Sequence, residues 1–179
     1  MPLGDKKPVE AGPKRTDSLC KQDRKWLLEA IELSKCCPRS PSSYAVGALI
    51  VEAQERCIAS GYSLEWGDGW HAEAVAIEKA LHHREDLGGL CLYASIEPCS
   101  KRKSGRRPCT EAIISSGLTR VVYAFKEPPL FVRCQGDAVL RKHGIEVNRL
   151  KGLEPLVEAV NHHLLEGHVH SSNPPPRAK

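Results

Sequence analysis

Aromatic residues are scarce, making up 5% of this 179-residue chain. Proteins that hold single-stranded nucleic acid stack successive bases on aromatic platforms along a basic groove. Few platforms are available here, and the formal net charge of +4 is mild. A nucleic-acid partner is therefore not expected, whereas a small anionic ligand suits that charge. No apolar run reaches the ~18 residues that a membrane span needs. The longest, Tyr44 to Val51, is strand-sized, so no membrane partner is expected. Lys6, Lys7, Lys14 and Arg15 are followed by no apolar stretch, which argues against a secretory signal. Without one, the eight cysteines read as reduced thiols and metal ligands rather than disulfides. The location that follows is cytoplasmic, with nuclear entry by diffusion.

What is present fits one globular domain. Hydrophobic residues make up 41% of the chain, and a chain of this length buries roughly 70% of its unfolded surface. Residues 1–20 are proline- and charge-rich and are expected to be flexible. Residues 21–166 carry the periodic segments. Residues 167–179 are rich in His, Ser and Pro and read as a disordered tail, with His168 and His170 belonging to the tail rather than to a metal site.

Helical spacing predicts a first helix over Asp23 to Lys35. Tyr44 to Val51 and Arg56 to Gly61, joined by the polar turn Glu52 to Glu55, predict a hairpin. Gly47 marks either a bend or a close approach of a ligand or backbone. A loop runs from Tyr62 to Trp70, followed by a helix over His71 to Leu81. A strand over Leu90 to Ile96, a helix over Thr110 to Ser116 and a strand over Arg120 to Phe125 come next. Asp137 to His143, Ile145 to Asn148 and Leu153 to Leu165 predict a helix, a strand and a last amphipathic helix. Alternating strands and helices imply a three-layer α/β/α sandwich. Its mixed five-stranded sheet combines an antiparallel hairpin with parallel β-α-β units.

The chemistry concentrates between Trp70 and Cys109. His71, Cys99 and Cys109 offer one imidazole and two thiolates, the donor set that zinc prefers, and a catalytic zinc keeps its fourth position open. The expectation is one Zn²⁺ per chain. Glu73, two residues after His71, lies beside the metal without ligating it, where it can move protons. The ordered set His-x-Glu, then Pro-Cys, then Cys is the signature of zinc-dependent deaminases of nucleobase-like rings. A plain reading, with a helix His, a surface Glu and two core cysteines, requires all four residues to fall in order by accident. Residues 101–107 hold five basic residues of seven between the two thiolates, including Lys101, Arg106 and Arg107. Arginine suits bidentate phosphate contacts, so this loop is read as capturing a phosphate; a solvated loop is the alternative.

From about Lys21 to Leu165 the chain resembles the cytidine-deaminase-like superfamily. Ser42-Ser43-Tyr44-Ala45-Val46-Gly47-Ala48 is similar to a segment of cytidine deaminases. Glu97-Pro98-Cys99-Ser100, the long loop, Pro108-Cys109, Gly117 to Val122 and Gly144 to Val147 resemble the deaminases of riboflavin biosynthesis. Nine residues separate Cys99 from Cys109, unlike the Pro-Cys-x-x-Cys of most nucleoside and nucleotide deaminases. The resemblance implies a phosphorylated diaminopyrimidinone substrate and a homodimer. Glu73 would take a proton from the attacking water and return protons to the ring and to departing ammonia. Ser43 and Tyr44 stand where the bacterial enzymes have Asn-Pro, and their inter-cysteine loop is about one residue shorter. The expectation is a stand-alone deaminase without a reductase portion, which resembles the fungal arrangement and favours a ribitylamino substrate, with the ribosylamino form left open. Ser43, Tyr44, Trp70, Lys101, Arg106 and Arg107 are the expected substrate contacts, with Trp70 either stacking on the ring or covering the core edge. The alternatives are a cytidine or deoxycytidylate deaminase, a nucleic-acid-binding or editing deaminase, and a zinc-structured protein in which Glu73 is idle.

Overall fold

The computed structural model describes residues 14–102, 105–130 and 133–169. In chain order the elements are α1 (Lys14–Ser34), β1 (Gly47–Glu52), β2 (Arg56–Tyr62), α2 (Ala72–Leu81), β3 (Cys91–Ile96), α3 (Cys109–Ser115), β4 (Arg120–Phe125), α4 (Gly136–Lys142), β5 (Glu146–Arg149) and α5 (Glu154–Val169). The strands form one sheet in the order β2-β1-β3-β4-β5. β1 is antiparallel to both β2 and β3, while β3, β4 and β5 run parallel. This is the expected mixed five-stranded sheet between two helical layers.

Alternation along the strands divides the core between the faces. Ala48, Ile50, Leu92, Val121 and Val147 pack against Ala76 and Ile77 of α2, Ile113 of α3 and Leu140 of α4. On the other face Leu49, Val51, Tyr93 and Val122 pack against Leu27, Ala30 and Ile31 of α1 and Val157 of α5. All six residues of β3 are buried, as a central strand covered on both faces must be. Asp23 of α1 ties its layer to the sheet by accepting two bonds from Arg120 of β4, at 2.9 and 2.7 Å, and one from the Tyr93 hydroxyl at 2.8 Å.

Two departures from the expected boundaries stand out. First, α1 begins at Lys14, so residues 14–20 are helical rather than part of a flexible segment, while residues 1–13 lie outside the described residues. Likewise α5 reaches Val169, which places residues 167–169 in the helix; the remaining tail, with His170, lies outside the described residues. Second, Tyr44, Ala45 and Val46 are not in β1. The buried Asn161 side chain of α5 claims the backbone of Ala45, whose N–H donates to Asn161 Oδ1 at 2.8 Å and whose carbonyl accepts from Asn161 Nδ2 at 3.1 Å, while the Val46 backbone bonds to Ser63. At Gly47, of the two roles expected, the close approach of backbone is the one seen. A Cβ there would lie 2.0 Å from the Ala30 carbonyl, so only glycine lets α1 seat on β1.

The β1–β2 hairpin turns through Ala53 and Gln54, both at positive φ (48° and 62°), and Glu55 N–H donates to Glu52 O at 3.0 Å. Two-residue hairpin turns of this hand favour Asn-Gly, because other residues in the left-handed region clash with their own Cβ. The double substitution Ala53→Asn, Gln54→Gly is therefore expected to raise unfolding free energy by about 1 kcal/mol or more without altering the distant metal-ligand cluster. Urea unfolding checks this, and an unchanged or lower midpoint would contradict the turn assignment.

Candidate active site

Three chain positions converge at one end of the sheet. His71 is the N-cap of α2, Cys99 follows β3, and Cys109 is the first residue of α3. His71 Nδ1 lies 3.5 Å from Cys99 Sγ and 3.4 Å from Cys109 Sγ, and the three ligand atoms all fall within 4.8 Å of one another. Tetrahedral zinc, with bonds of about 2.0–2.1 Å to nitrogen and 2.3 Å to sulfur, places such atoms roughly 3.5 Å apart. The donor set therefore fits zinc in both chemistry and spacing. Cys99 and Cys109 are buried and His71 is half-buried.

The convergence is built by backbone contacts. Cys109 N–H donates to Cys99 Sγ at 3.4 Å and Thr110 N–H to Cys99 O at 3.1 Å, so the start of α3 closes over the Cys99 turn. Ser100 and Glu97 hold the start of α4, accepting from Gln135 N–H and Asp137 N–H at 2.9 Å each. Gly136 is required there, because its Cβ would fall 1.9 Å from Pro98 O. The Cys99 turn is thus clamped from both sides. Sulfhydryl donation from Cys109 is the largest influence on Cys99 and pulls its thiol down to about 3, with His71 adding to the effect. A cysteine held as thiolate is a metal ligand in waiting.

Glu73 lies in the first turn of α2, 3% exposed, and its Oε2 is buried without a partner among the described residues. Burial raises its pKa above the ordinary carboxylate range, with the His71 charge opposing. A buried carboxyl oxygen without a partner is costly to fold. Placed beside the ligand cluster, it is positioned to exchange a proton with whatever occupies the cavity.

That cavity has a volume of about 470 Å³. His71, Glu73 and Cys99 form part of its lining, together with Ser43, Tyr44 and Lys101 from the expected substrate contacts. Trp70, Arg106 and Arg107 do not line it. Trp70 stacks edge-on with Trp66 at 4.9 Å and lies under the Arg106 guanidinium at 5.9 Å, which favours a covering role over ring stacking in the cavity. Arg107 donates to Glu111 O at 2.8 Å on α3. Lys103 of the same loop is outside the described residues.

Several lining groups escaped the sequence reading. Ser40, Ser42 and Ser63 contribute hydroxyls, while Arg102, already part of the expected phosphate loop, contributes a guanidinium. Glu127, just after β4, is the most telling. Burial pushes its pKa up to about 7, against donation from Cys134, and its Oε2 is also buried and unpartnered. Its only sequence signal was its position after a strand, at the same end of the parallel sheet as Cys99. Glu97 Oε2 is a third unpartnered buried oxygen in this lining.

Comparison with known proteins agrees with this geometry. A family model described as the cytidine and deoxycytidylate deaminase zinc-binding region matches residues 20–125. A diaminohydroxyphosphoribosylamino-pyrimidine deaminase of Schizosaccharomyces pombe is 38% identical over 124 residues, covering 68% of this chain and 30% of that protein. One of the same name from Buchnera aphidicola is 33% identical over 127 residues, covering 70% of this chain and 82% of its own length. The chain thus spans under a third of the fission-yeast relative. Among solved structures, a bifunctional diaminohydroxyphosphoribosylaminopyrimidine deaminase/uracil reductase of Thermotoga maritima superposes with a TM-score of 0.71 at 34% identity, over 82% of this chain and 41% of that one. The Rib2 deaminase of Aspergillus oryzae in complex with DARIPP superposes with a TM-score of 0.69 at 25% identity, over 78% and 89%. With the ligand cluster, the adjacent carboxyl and more than half of the chain matched, the protein belongs to the cytidine and deoxycytidylate deaminase zinc-binding family.

Proposed function

We propose that this chain hydrolytically deaminates a phosphorylated diaminopyrimidinone of riboflavin biosynthesis and releases ammonia. One Zn²⁺ per chain would be held by His71, Cys99 and Cys109. The observation that carries the reading is the unpartnered Glu73 oxygen, buried beside those three ligand atoms in a cavity of single-ring size. The names of the matched relatives favour the diaminopyrimidinone over other rings.

A zinc ion bound there supplies a Lewis acid that brings the pKa of water towards neutrality. Glu73 accepts the proton that the water gives up as its oxygen bonds to the ring carbon bearing the exocyclic amine. It delivers that proton to the adjacent ring nitrogen and then carries the proton of the newly formed hydroxyl to the amine, so that the carbon–nitrogen bond breaks, ammonia departs and a ring carbonyl remains. One carboxyl acts first as base and then as acid, which its position buried beside the ligand cluster allows. Glu127 and Glu97 present carboxyl oxygens with free hydrogen-bonding capacity, matched to the ring's amino and N–H groups. The phosphate falls to Lys101 and the neighbouring Ser40, Ser42 and Ser43 hydroxyls. A ribitylamino or ribosylamino side chain, a homodimer and a cytoplasmic location belong to the same reading.

Competing readings are separated by kcat/KM for ammonia release from the riboflavin-pathway intermediate, cytidine, deoxycytidylate and a cytosine-containing oligonucleotide. The first is expected to be used at least tenfold better. Tenfold preference for any other would overturn the substrate assignment and leave the family assignment intact.

Five variants probe the parts. Glu73→Gln should retain metal but lose about 10²–10⁴ in turnover, as for removal of a general acid–base group; near-normal turnover would assign the proton transfers elsewhere. Lys101→Ala should raise KM for the phosphorylated substrate by the loss of one charge-assisted contact, about 1.5–3 kcal/mol. Arg106→Ala and Arg107→Ala should do less, since neither lines the cavity, and equal effects on phosphorylated and dephosphorylated substrate would remove Lys101 from phosphate binding. Glu127 tests the buried acid through pH. Its carboxyl titrates at about 7 when folded instead of the ordinary 4.5, so the folded chain holds the extra proton between those values. Its contribution to stability is full below 4.5, declines as pH rises and is lost above about 7. Urea titrations of chelator-treated protein from pH 5 to 8 should show a shallower decline for Glu127→Gln than for wild type. Parallel curves would contradict the assignment.

A further inference from the structure

Arg102 sits in the basic loop between the two cysteines, but its guanidinium turns inward. Nη2 donates to Cys109 Sγ at 3.3 Å and Nη1 donates to the Gly69 carbonyl at 3.2 Å. Nε is buried without a partner among the described residues. Gly69 lies two residues before His71. One planar group therefore connects the loop that leaves Cys99, the segment that delivers His71 and the sulfur of Cys109. An arginine placed only to attract phosphate from solvent would not spend its two terminal nitrogens on a cysteine sulfur and a backbone carbonyl.

We propose that Arg102 is a positioning residue of the metal centre, which tempers the Cys109 thiolate by a charge-assisted hydrogen bond and fixes the segment carrying His71. This rests on the zinc reading above. Two thiolates cancel the formal charge of a divalent ion and weaken its pull on water. A cation bonded to one sulfur withdraws electron density from it and restores part of that pull. Partners behind the ligands commonly tune a metal in this way and weigh nearly as much as the ligands themselves. Arginine suits the task because its fork stays charged and can hold two acceptors at once. The loop thereby divides its work: Arg102 serves the metal, while Lys101 serves the substrate's anionic tail.

The test is Co²⁺ substitution in the full chain, comparing wild type with Arg102→Met and Arg102→Lys. Stoichiometric uptake by wild type, with thiolate-to-cobalt charge-transfer absorption, checks the metal site independently of Arg102. Failure of uptake would overturn the metal reading, and this inference with it. With uptake established, Arg102→Met should shift the charge-transfer band to lower energy, because an untempered thiolate donates more strongly. Zinc affinity in a chelator competition should weaken by about 10–100-fold. The kcat should fall by a similar factor with KM for phosphorylated substrate nearly unchanged. Arg102→Lys keeps the charge without the fork and should recover part of the band shift. An unmoved band in both variants overturns the proposal. If KM for phosphorylated substrate rises in that case, Arg102 is a phosphate ligand; if only thermal stability falls, it is a brace for the loop.

Discussion

Three ligand atoms must meet within 4.8 Å in a place largely closed to water, and much of the fold follows from that demand. His71, Cys99 and Cys109 lie on segments that are separate in sequence, so each must arrive from the end of a rigid element. The N-terminus of α2 supplies the imidazole, the exit of β3 supplies one sulfur and the entry of α3 supplies the other. Parallel pairing of β3 with β4 sends the chain back across the sheet between them. The turns after both strands therefore open at the same end, which is how Glu127 joins Cys99 in one cavity. Glycine permits the tight contacts on which this depends, with α1 seated on β1 at Gly47 and α4 against the Cys99 turn at Gly136.

Electrostatics then gives the cavity its character. Among the described residues, three of its glutamates, Glu73, Glu97 and Glu127, have a buried oxygen left unpartnered, and Lys101 and Arg102 come from the loop between the thiolates. Burial keeps Glu73 and Glu127 above the usual carboxylate range, so each can hold a proton at a pH where an exposed glutamate would not. Such unpartnered groups cost folding free energy, which the packed layers on both faces of the sheet offset. A single-ring substrate with amino and N–H edges and an anionic tail supplies complementary partners for both kinds of group.

Much of this was legible in the sequence because it was written in short-range patterns. Apolar periodicity located all five strands and five helices, and the ordered His71, Glu73, Cys99 and Cys109 marked the chemistry. Boundaries slipped where tertiary contacts overrode local pattern. Tyr44 to Val46 read as strand, but Asn161, more than a hundred residues away, takes both backbone hydrogen-bonding groups of Ala45. The loop's five basic residues looked alike in sequence. In the structure Arg102 points at a sulfur, Arg106 lies over Trp70 and Arg107 bonds to α3, while Lys101 lines the cavity without a contact to either sulfur. Glu127 was hidden because nothing local distinguishes a carboxylate that folding will bury from one left in solvent.

The account stands or falls on whether the three ligand atoms hold zinc. X-ray absorption at the zinc edge of the purified chain reads it directly. The expected shell is two sulfur atoms at about 2.3 Å and two lighter atoms at about 2.0–2.1 Å, one of them exchangeable as a catalytic site requires. A shell of four protein ligands, or a protein that folds without taking up zinc, would contradict a hydrolytic centre at His71, Cys99 and Cys109.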